Sequence, residues 1–180
     1  MKGFTEKIMI TGGKYRGRKI STPGGKTHPM GSRERLALFN MLGERCTNAT
    51  VLDAFAGSGA LGIEALSRGA LKVIFVDKSL DAVKIIKDNL EELGITDGFE
   101  VIKGALPQVN LGEFGEFDVI LADPPYDGFG NINLSFFGSL LRESGILILS
   151  HPGVAPELEG LGVIKTHAYA AAHISIYVKN

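Results

Sequence analysis

From residue 50 onward the chain alternates between short, almost wholly apolar runs and longer stretches in which apolar residues return every three or four positions. Thr50-Val-Leu-Asp-Ala, Lys72-Val-Ile-Phe-Val, Phe99-Glu-Val-Ile-Lys, Phe117-Asp-Val-Ile-Leu-Ala and Gly145-Ile-Leu-Ile-Leu-Ser have the length and β-branched content of strands. Ala60 to Gly69 reads as a helix. Ser79 to Gly94 reads as another, with Val83, Ile86, Leu90 and Leu93 on one face, Lys84/Asp88 and Lys87/Glu91 paired outside, and Ser79 as its cap. Leu134 to Arg142 supplies a further helix through Leu134, Phe137, Leu140 and Leu141. Strands apolar on both faces and separated by helices belong in a parallel sheet covered on both sides, with ligands at the carboxyl ends of the strands. The tail runs Val163-Ile-Lys-Thr-His and Ile174-Ser-Ile-Tyr-Val-Lys are too close together for a crossover helix, so they are expected to pair antiparallel at an edge.

Before residue 50 the pattern differs. Lys7 to Ser21 reads as two short β-prone runs around a turn rich in glycine (Gly12, Gly13, Gly17), a basic hairpin. Pro23-Gly-Gly-Lys-Thr-His-Pro is a breaker-rich linker, and Arg33 to Arg45 carries Leu38, Met41 and Leu42 at helical spacing. The expected organisation is a hairpin extension over residues 1–28 and one α/β domain over residues 29–180.

Length and composition narrow the class. With 180 residues, 44% apolar and 22% charged, the chain fits one globular domain. No apolar run approaches the roughly 18 residues of a membrane span, and the N-terminus lacks the apolar stretch of a secretion signal, so a cytoplasmic location with no membrane partner is expected. The single cysteine, Cys46, allows neither an internal disulfide nor, alone, a structural zinc site, and is expected at a helix end. Charge is segregated. Residues 1–36 hold nine Lys and Arg against Glu6 and Glu34, whereas the rest of the chain holds ten against eighteen. A basic end of this kind suits a polyanion such as a nucleic acid; a solvated surface arm is the other reading.

Asp53-Ala-Phe-Ala-Gly-Ser-Gly-Ala-Leu-Gly ends the first central strand and opens a helix. Taken literally, Gly57, Gly59 and Gly62 followed by Asp77 match the dinucleotide fingerprint. Asp53, however, ends its strand four residues ahead of Gly57, and a carboxylate there opposes a pyrophosphate but attracts S-adenosylmethionine, which carries an ammonium and a sulfonium. Asp77, at the end of the second strand, is placed to accept from ribose hydroxyls. Capping or turn formation is the alternative use of Asp53 and Asp77. The candidate cofactor set is Asp53, Phe55, Ala56, Gly57, Ser58, Gly59, Asp77 and Lys78, although Phe55 suits core packing as well.

Asp123-Pro124-Pro125-Tyr126 follows the strand Phe117 to Ala122, at the same rim as the glycine loop. Two prolines fix φ and remove two amide donors, leaving a stiff acceptor site. The Asp123 carboxylate and the Pro124 carbonyl can accept the two hydrogens of an exocyclic amine and draw its lone pair out of the ring. Tyr126 can stack on the base and align the nitrogen with the methyl–sulfur bond. A rigid turn without chemistry is the competing reading of this tetrapeptide.

These two motifs, together with Gly12-Gly-Lys-Tyr-Arg-Gly-Arg-Lys and Arg35-Leu-Ala-Leu-Phe-Asn-Met-Leu, resemble the bacterial RsmD family over nearly the whole chain. Its members are class I, S-adenosylmethionine-dependent methyltransferases of guanine N2 in 16S ribosomal RNA. The resemblance implies a Rossmann-like, seven-stranded, mostly parallel sheet with an antiparallel last strand and an RNA-contacting hairpin. It also implies a guanine-966 type of target in a small ribosomal subunit or assembly intermediate; separately, in-line transfer needs no metal, and a monomer is expected. Lys14, Tyr15, Arg16, Arg18, Lys19, His28 and Arg33 are the expected RNA contacts, Tyr15 either stacking on a base or covering the hairpin. The chain departs from the family at His28-Pro-Met, where Arg-Pro-Thr is usual. It departs again at Lys103-Gly-Ala-Leu, where the usual carboxylate near the adenine amine is missing, and at Tyr169-Ala-Ala-Ala-His, where a more polar stretch is usual.

Other functions remain open to the sequence: methylation of adenine N6 or a glutamine side chain, an NAD-dependent oxidoreductase, or an RNA-binding assembly factor without cofactor affinity. His151, His167 and His173 have no metal-ligand spacing and are assigned no role.

Overall fold

The computed structural model describes residues 6–23, 30–169 and 172–179. The basic N-terminal run forms an antiparallel hairpin of β1 (Lys7–Met9) and β2 (Lys19–Ser21), with Ile8 opposite Ile20. α1 (Ser32–Leu42) follows and passes into a 3-10 turn, Gly43–Cys46, that buries Cys46. The βα alternation then runs β3 (Thr50–Asp53), α2 (Ala60–Ser67), β4 (Lys72–Asp77), α3 (Leu80–Leu93), β5 (Phe99–Lys103) and β6 (Phe117–Ala122). After β6 come α4 (Phe137–Leu140), β7 (Leu141–His151), β8 (Leu161–Ala168) and β9 (His173–Lys179). Ser79 caps α3 by accepting from the Ala82 N–H at 3.4 Å, and Gly94 closes it in the left-handed region.

The strands form one seven-stranded sheet in the order β5-β4-β3-β6-β7-β9-β8. β9 alone runs opposite to the other six strands, so the antiparallel last strand is present and β8 is the edge. The chain works outward from β3 to β5 and then crosses back to β6 on the other side of β3. That reversal opens a crevice at the carboxyl ends of β3 and β6, the usual ligand site of such sheets.

Period-two alternation divides the core. Val51, Val119, Leu121, Ile146 and Ile148 face the layer made by α1, α2, α3 and the hairpin, through Leu38, Phe39, Ile63, Ile86 and Leu90. Leu52, Ile120, Leu147 and Leu149 face Leu111, Leu134, Phe137 and Tyr177 on the other side. The α-helices therefore crowd one face, and loops with two 3-10 turns and one short α-helical turn cover the other. The expected helix from Leu134 to Arg142 reduces to that turn, Phe137–Leu140, while Leu141 pairs with Phe117 and begins β7. Leu134, Phe137 and Leu141 are buried, so their spacing reflected a covered face rather than a helix; Gly138 further weakens helix formation there. Arg142 instead pairs with Asp118 of β6 at 2.6 Å.

The hairpin is part of the main core, since Ile10 and Ile20 are fully buried within it. Polar groups lock it further. Buried Glu64 of α2 accepts from the Thr11 N–H at 2.8 Å and the Thr11 hydroxyl at 2.7 Å, and from Arg68 Nε at 3.0 Å. Arg35, counted in the basic charge of residues 1–36, is fully buried and donates to the carbonyls of Met30 (2.6 Å) and Met9 (2.7 Å). It fastens linker, hairpin and α1 together and takes no part in the basic surface.

Candidate active site at the topological switch point

The glycine loop turns on left-handed backbone at Gly57 (φ 54°) and Gly59 (φ 77°), which favours glycine at both. A Cβ at Gly62 would collide with the Phe75 ring, so this glycine lets α2 lie against β4. The loop is tied to the next strand by the Ala56 N–H on the Val76 carbonyl (3.1 Å) and by the Gly57 N–H on Asp77 Oδ2 (2.8 Å). Asp77 Oδ1 accepts from the Ser79 N–H at 2.8 Å, and the carboxylate keeps lone pairs free for further donors.

Asp53 is buried behind the loop, its Oδ2 accepting the Gly62 N–H at 2.8 Å. Burial pushes its carboxyl up to about 7; the Gly62 N–H opposes that shift, and the charges of Asp123 and Asp77 add to it. Asp53 therefore feels the charges of the two carboxylates nearer the rim. Phe55 is half-buried in the second core cluster, Ala56 and Ser58 are buried in the loop, and Lys78 is exposed beside it.

β3 and β6 are parallel neighbours with Asp53 opposite Leu121, so Asp123 emerges two positions farther along at the same rim. Pro124 is buried, whereas Pro125 and Tyr126 are exposed. Burial raises the pKa of Asp123, against hydrogen bonds from the Ser150 side chain and the Met30 backbone that favour its charge. The Tyr126 hydroxyl lies 2.5 Å from Ser150 Oγ; burial raises the phenol pKa. At the end of β5 the Gly104 N–H donates to the Asp77 carbonyl at 2.9 Å, and Val109 fills the place of a side chain at 104.

Among the expected RNA contacts, Lys14, Arg16, Arg18, Lys19 and Arg33 are exposed. Half-buried Tyr15 packs on the main core beneath Lys14, whose Nζ is 5.3 Å from its ring centroid. His28 lies outside the described residues. His151 and His173 stack at 5.8 Å, and His151 Nε2 meets Ser175 Oγ at 2.8 Å, which joins β7 to β9.

Three contributors escaped sequence reasoning. Ser150 ends an apolar run in register with Ile146 and Ile148, and that alternation could have placed it on the Asp123 face. Asn89 sits one position from Leu90, a buried polar residue beside the apolar stripe of α3. Met30, whose backbone reaches Asp123, carries no sequence signal.

The chain matches the family described as "Conserved hypothetical protein 95" over residues 8–178. It is 33% identical to YlbH of Bacillus subtilis (strain 168) over 183 residues, covering 96% of this chain and 99% of that protein. It is 35% identical over 122 residues to "Ribosomal RNA small subunit methyltransferase D" of Escherichia coli (strain K12), covering 67% of this chain and 61% of that protein. The solved structure of YhhF from Escherichia coli superposes with a TM-score of 0.85 over 97% of this chain and 99% of that one, at 24% identity, a likeness of fold. The strand order, the glycine loop tied to Asp77 and these matches agree, and the chain belongs to the RsmD family of S-adenosylmethionine-dependent rRNA methyltransferases.

Proposed function

We propose that this protein transfers a methyl group from S-adenosylmethionine to the exocyclic N2 amine of a guanine in 16S ribosomal RNA, within a small ribosomal subunit or an assembly intermediate. The observation that carries the reading is the delivery of the glycine loop and of Asp123-Pro124-Pro125-Tyr126 to one rim by adjacent parallel strands. The rRNA methyltransferase activity in the name of the Escherichia coli relative supports an rRNA substrate.

The residues present suit the cofactor. Burial and the nearby charges of Asp123 and Asp77 raise the cost of ionising Asp53, and a ligand bearing an ammonium and a sulfonium relieves it. Asp77 keeps acceptor capacity for ribose hydroxyls, and Gly57 and Gly59 leave the loop backbone uncovered. Phe55, Ala56, Ser58 and Lys78 complete the surroundings. The cofactor, when bound, supplies an electrophilic methyl group on a positively charged sulfur.

Asp123 and the Pro124 carbonyl accept the two hydrogens of the amine, and the exposed ring of Tyr126 holds the base face. Positive charge grows on the nitrogen during transfer, so a fixed Asp123 carboxylate stabilises the transition state more than the neutral base. The guanine must be unpaired or flipped from its stack to reach this rim. Lys14, Arg16, Arg18, Lys19 and Arg33 offer cations to the flanking phosphates.

The test is incubation with labelled cofactor and small subunits from cells lacking the enzyme, followed by nucleoside mass analysis. N2-methylguanine is expected, and label on adenine N6 overturns the assignment. Asp123→Ala is expected to abolish turnover while leaving cofactor binding largely intact; retained turnover removes Asp123 from its role.

A further inference from the structure

We propose that Ser150 is a positioning residue for methyl transfer: its hydroxyl donates to the Asp123 carboxylate and accepts from the Tyr126 phenol, so one buried oxygen sets both walls of the amine cradle. The inference rests on the roles just proposed for Asp123 and Tyr126.

Register brings the three together. β6 and β7 pair Ala122 with Leu149, so the next residues, Asp123 and Ser150, stand side by side where the strands end. Ser150 shares its face of β7 with Ile146 and Ile148, the face from which Asp53 also projects. It is 1% exposed, and its Oγ lies 2.5 Å from the Tyr126 hydroxyl, 24 residues away in sequence. The register sets the same side chain beside Asp123, where its hydroxyl favours the charged form of the carboxyl.

Counting protons gives the direction. A serine hydroxyl has one hydrogen, and an ionised carboxylate can only accept, so that hydrogen points to Asp123. The Tyr126 phenol must then be the donor to Ser150. The relay runs from Tyr126 through Ser150 to Asp123, and it stays in one sense because burial keeps the phenol protonated. The Met30 backbone, from a different element, also favours the charged form of Asp123. Packing alone explains a small residue at position 150, but it does not explain a hydroxyl joined to both the residue that grips the amine and the residue that stacks on the base.

Ser150→Ala and Ser150→Thr in the full chain test this, with small ribosomal subunits as substrate and the cofactor alone as the calorimetric ligand. Ser150→Ala is expected to lower kcat by about 10²-fold, the scale of a small misplacement of reacting groups, with the cofactor Kd unchanged. Its acid limb of kcat against pH should move upward, because the hydrogen bond that favours ionised Asp123 is gone. Ser150→Thr keeps the hydroxyl and should restore both kcat and the acid limb. Wild-type kcat with an unmoved limb in Ser150→Ala overturns the inference, as does a loss of cofactor affinity matching the loss of turnover. A crystal structure of Ser150→Ala with Asp123 and Tyr126 in their original places overturns it without reference to turnover. Failure of the wild-type protein to methylate RNA would instead count against the proposed function.

Discussion

Asn89, on α3, donates a side-chain hydrogen bond of 2.9 Å to the carbonyl of Ser58 in the glycine loop. Its second amide hydrogen goes to the Ser21 carbonyl at 2.9 Å, and its Oδ1 accepts the Ser21 N–H at 2.8 Å. One buried amide thus joins the hairpin, α3 and the cofactor loop, with every donor and acceptor used. Asn89→Leu leaves three backbone groups without partners and is expected to destabilise the fold by about 2–4 kcal/mol. Urea unfolding measures this, and calorimetry should show weaker cofactor binding from a loosened loop. An unchanged midpoint and Kd would mean that water replaces the amide at no cost.

Glu64 makes the second tie between the hairpin and the cofactor domain. Its carboxyl receives two donors from Thr11 and the Arg68 guanidinium, all in a buried setting. Glu64→Leu strands the Thr11 N–H and leaves Arg68 without its partner, so a loss of about 3–5 kcal/mol is expected. Glu64→Gln keeps the shape and some of the acceptors and should lose less. Limited proteolysis should cut the hairpin of Glu64→Leu faster than that of the wild type. Equal cleavage rates would show that Ile10 and Ile20 hold the hairpin without help.

The position after β5 offers a third test. Gly104 stands where the family usually carries a carboxylate, and Val109 closes the space that a side chain would need. Gly104→Asp alone is expected to destabilise by about 1–3 kcal/mol through overpacking. Val109→Ala in the same chain should recover part of that loss, which a double-mutant cycle reads as coupling between the two sites. Additive effects would mean that the aspartate turns outward and never meets Val109.

How much of this was legible in the sequence depended on whether the cause was local. Phe99 to Lys103 and Phe117 to Ala122 are strands as expected, because an apolar run of strand length says so without outside help. Asp53, Asp77 and Asp123 stood out because each closes or follows such a run at the sheet's carboxyl rim. The stretch from Leu134 to Arg142 misled for a related reason: helical spacing reports a covered face, and here a loop and a strand end supply it. Arg35 was hidden because its burial depends on carbonyls at Met9 and Met30, which only the folded chain brings together. Ser150 and Asn89 lay between these cases, each a polar residue inside an apolar pattern whose partner is far away in sequence.

Asp53 gives the pH dependence. Its pKa is about 7 in the folded protein because burial disfavours the charged form, against an ordinary value of about 3.9 unfolded. Between those values the folded chain holds a proton that the unfolded chain has lost, so the stability from this group is fully present below about 3.9 and lost as pH rises to about 7. Asp53→Asn keeps an acceptor for the Gly62 N–H and removes the charge. Relative to wild type, the variant should gain stability steadily from pH 5 to pH 8, and denaturant unfolding at the two values measures the gain. Cofactor binding should respond in the opposite sense. A cationic ligand favours ionised Asp53, so wild-type Kd should tighten as pH rises through about 7, with proton release on binding below it. Asp53→Asn should bind more weakly with a flatter pH dependence. A variant more destabilised at pH 8 than at pH 5 would show that Asp53 is already ionised and held by favourable contacts in the free enzyme.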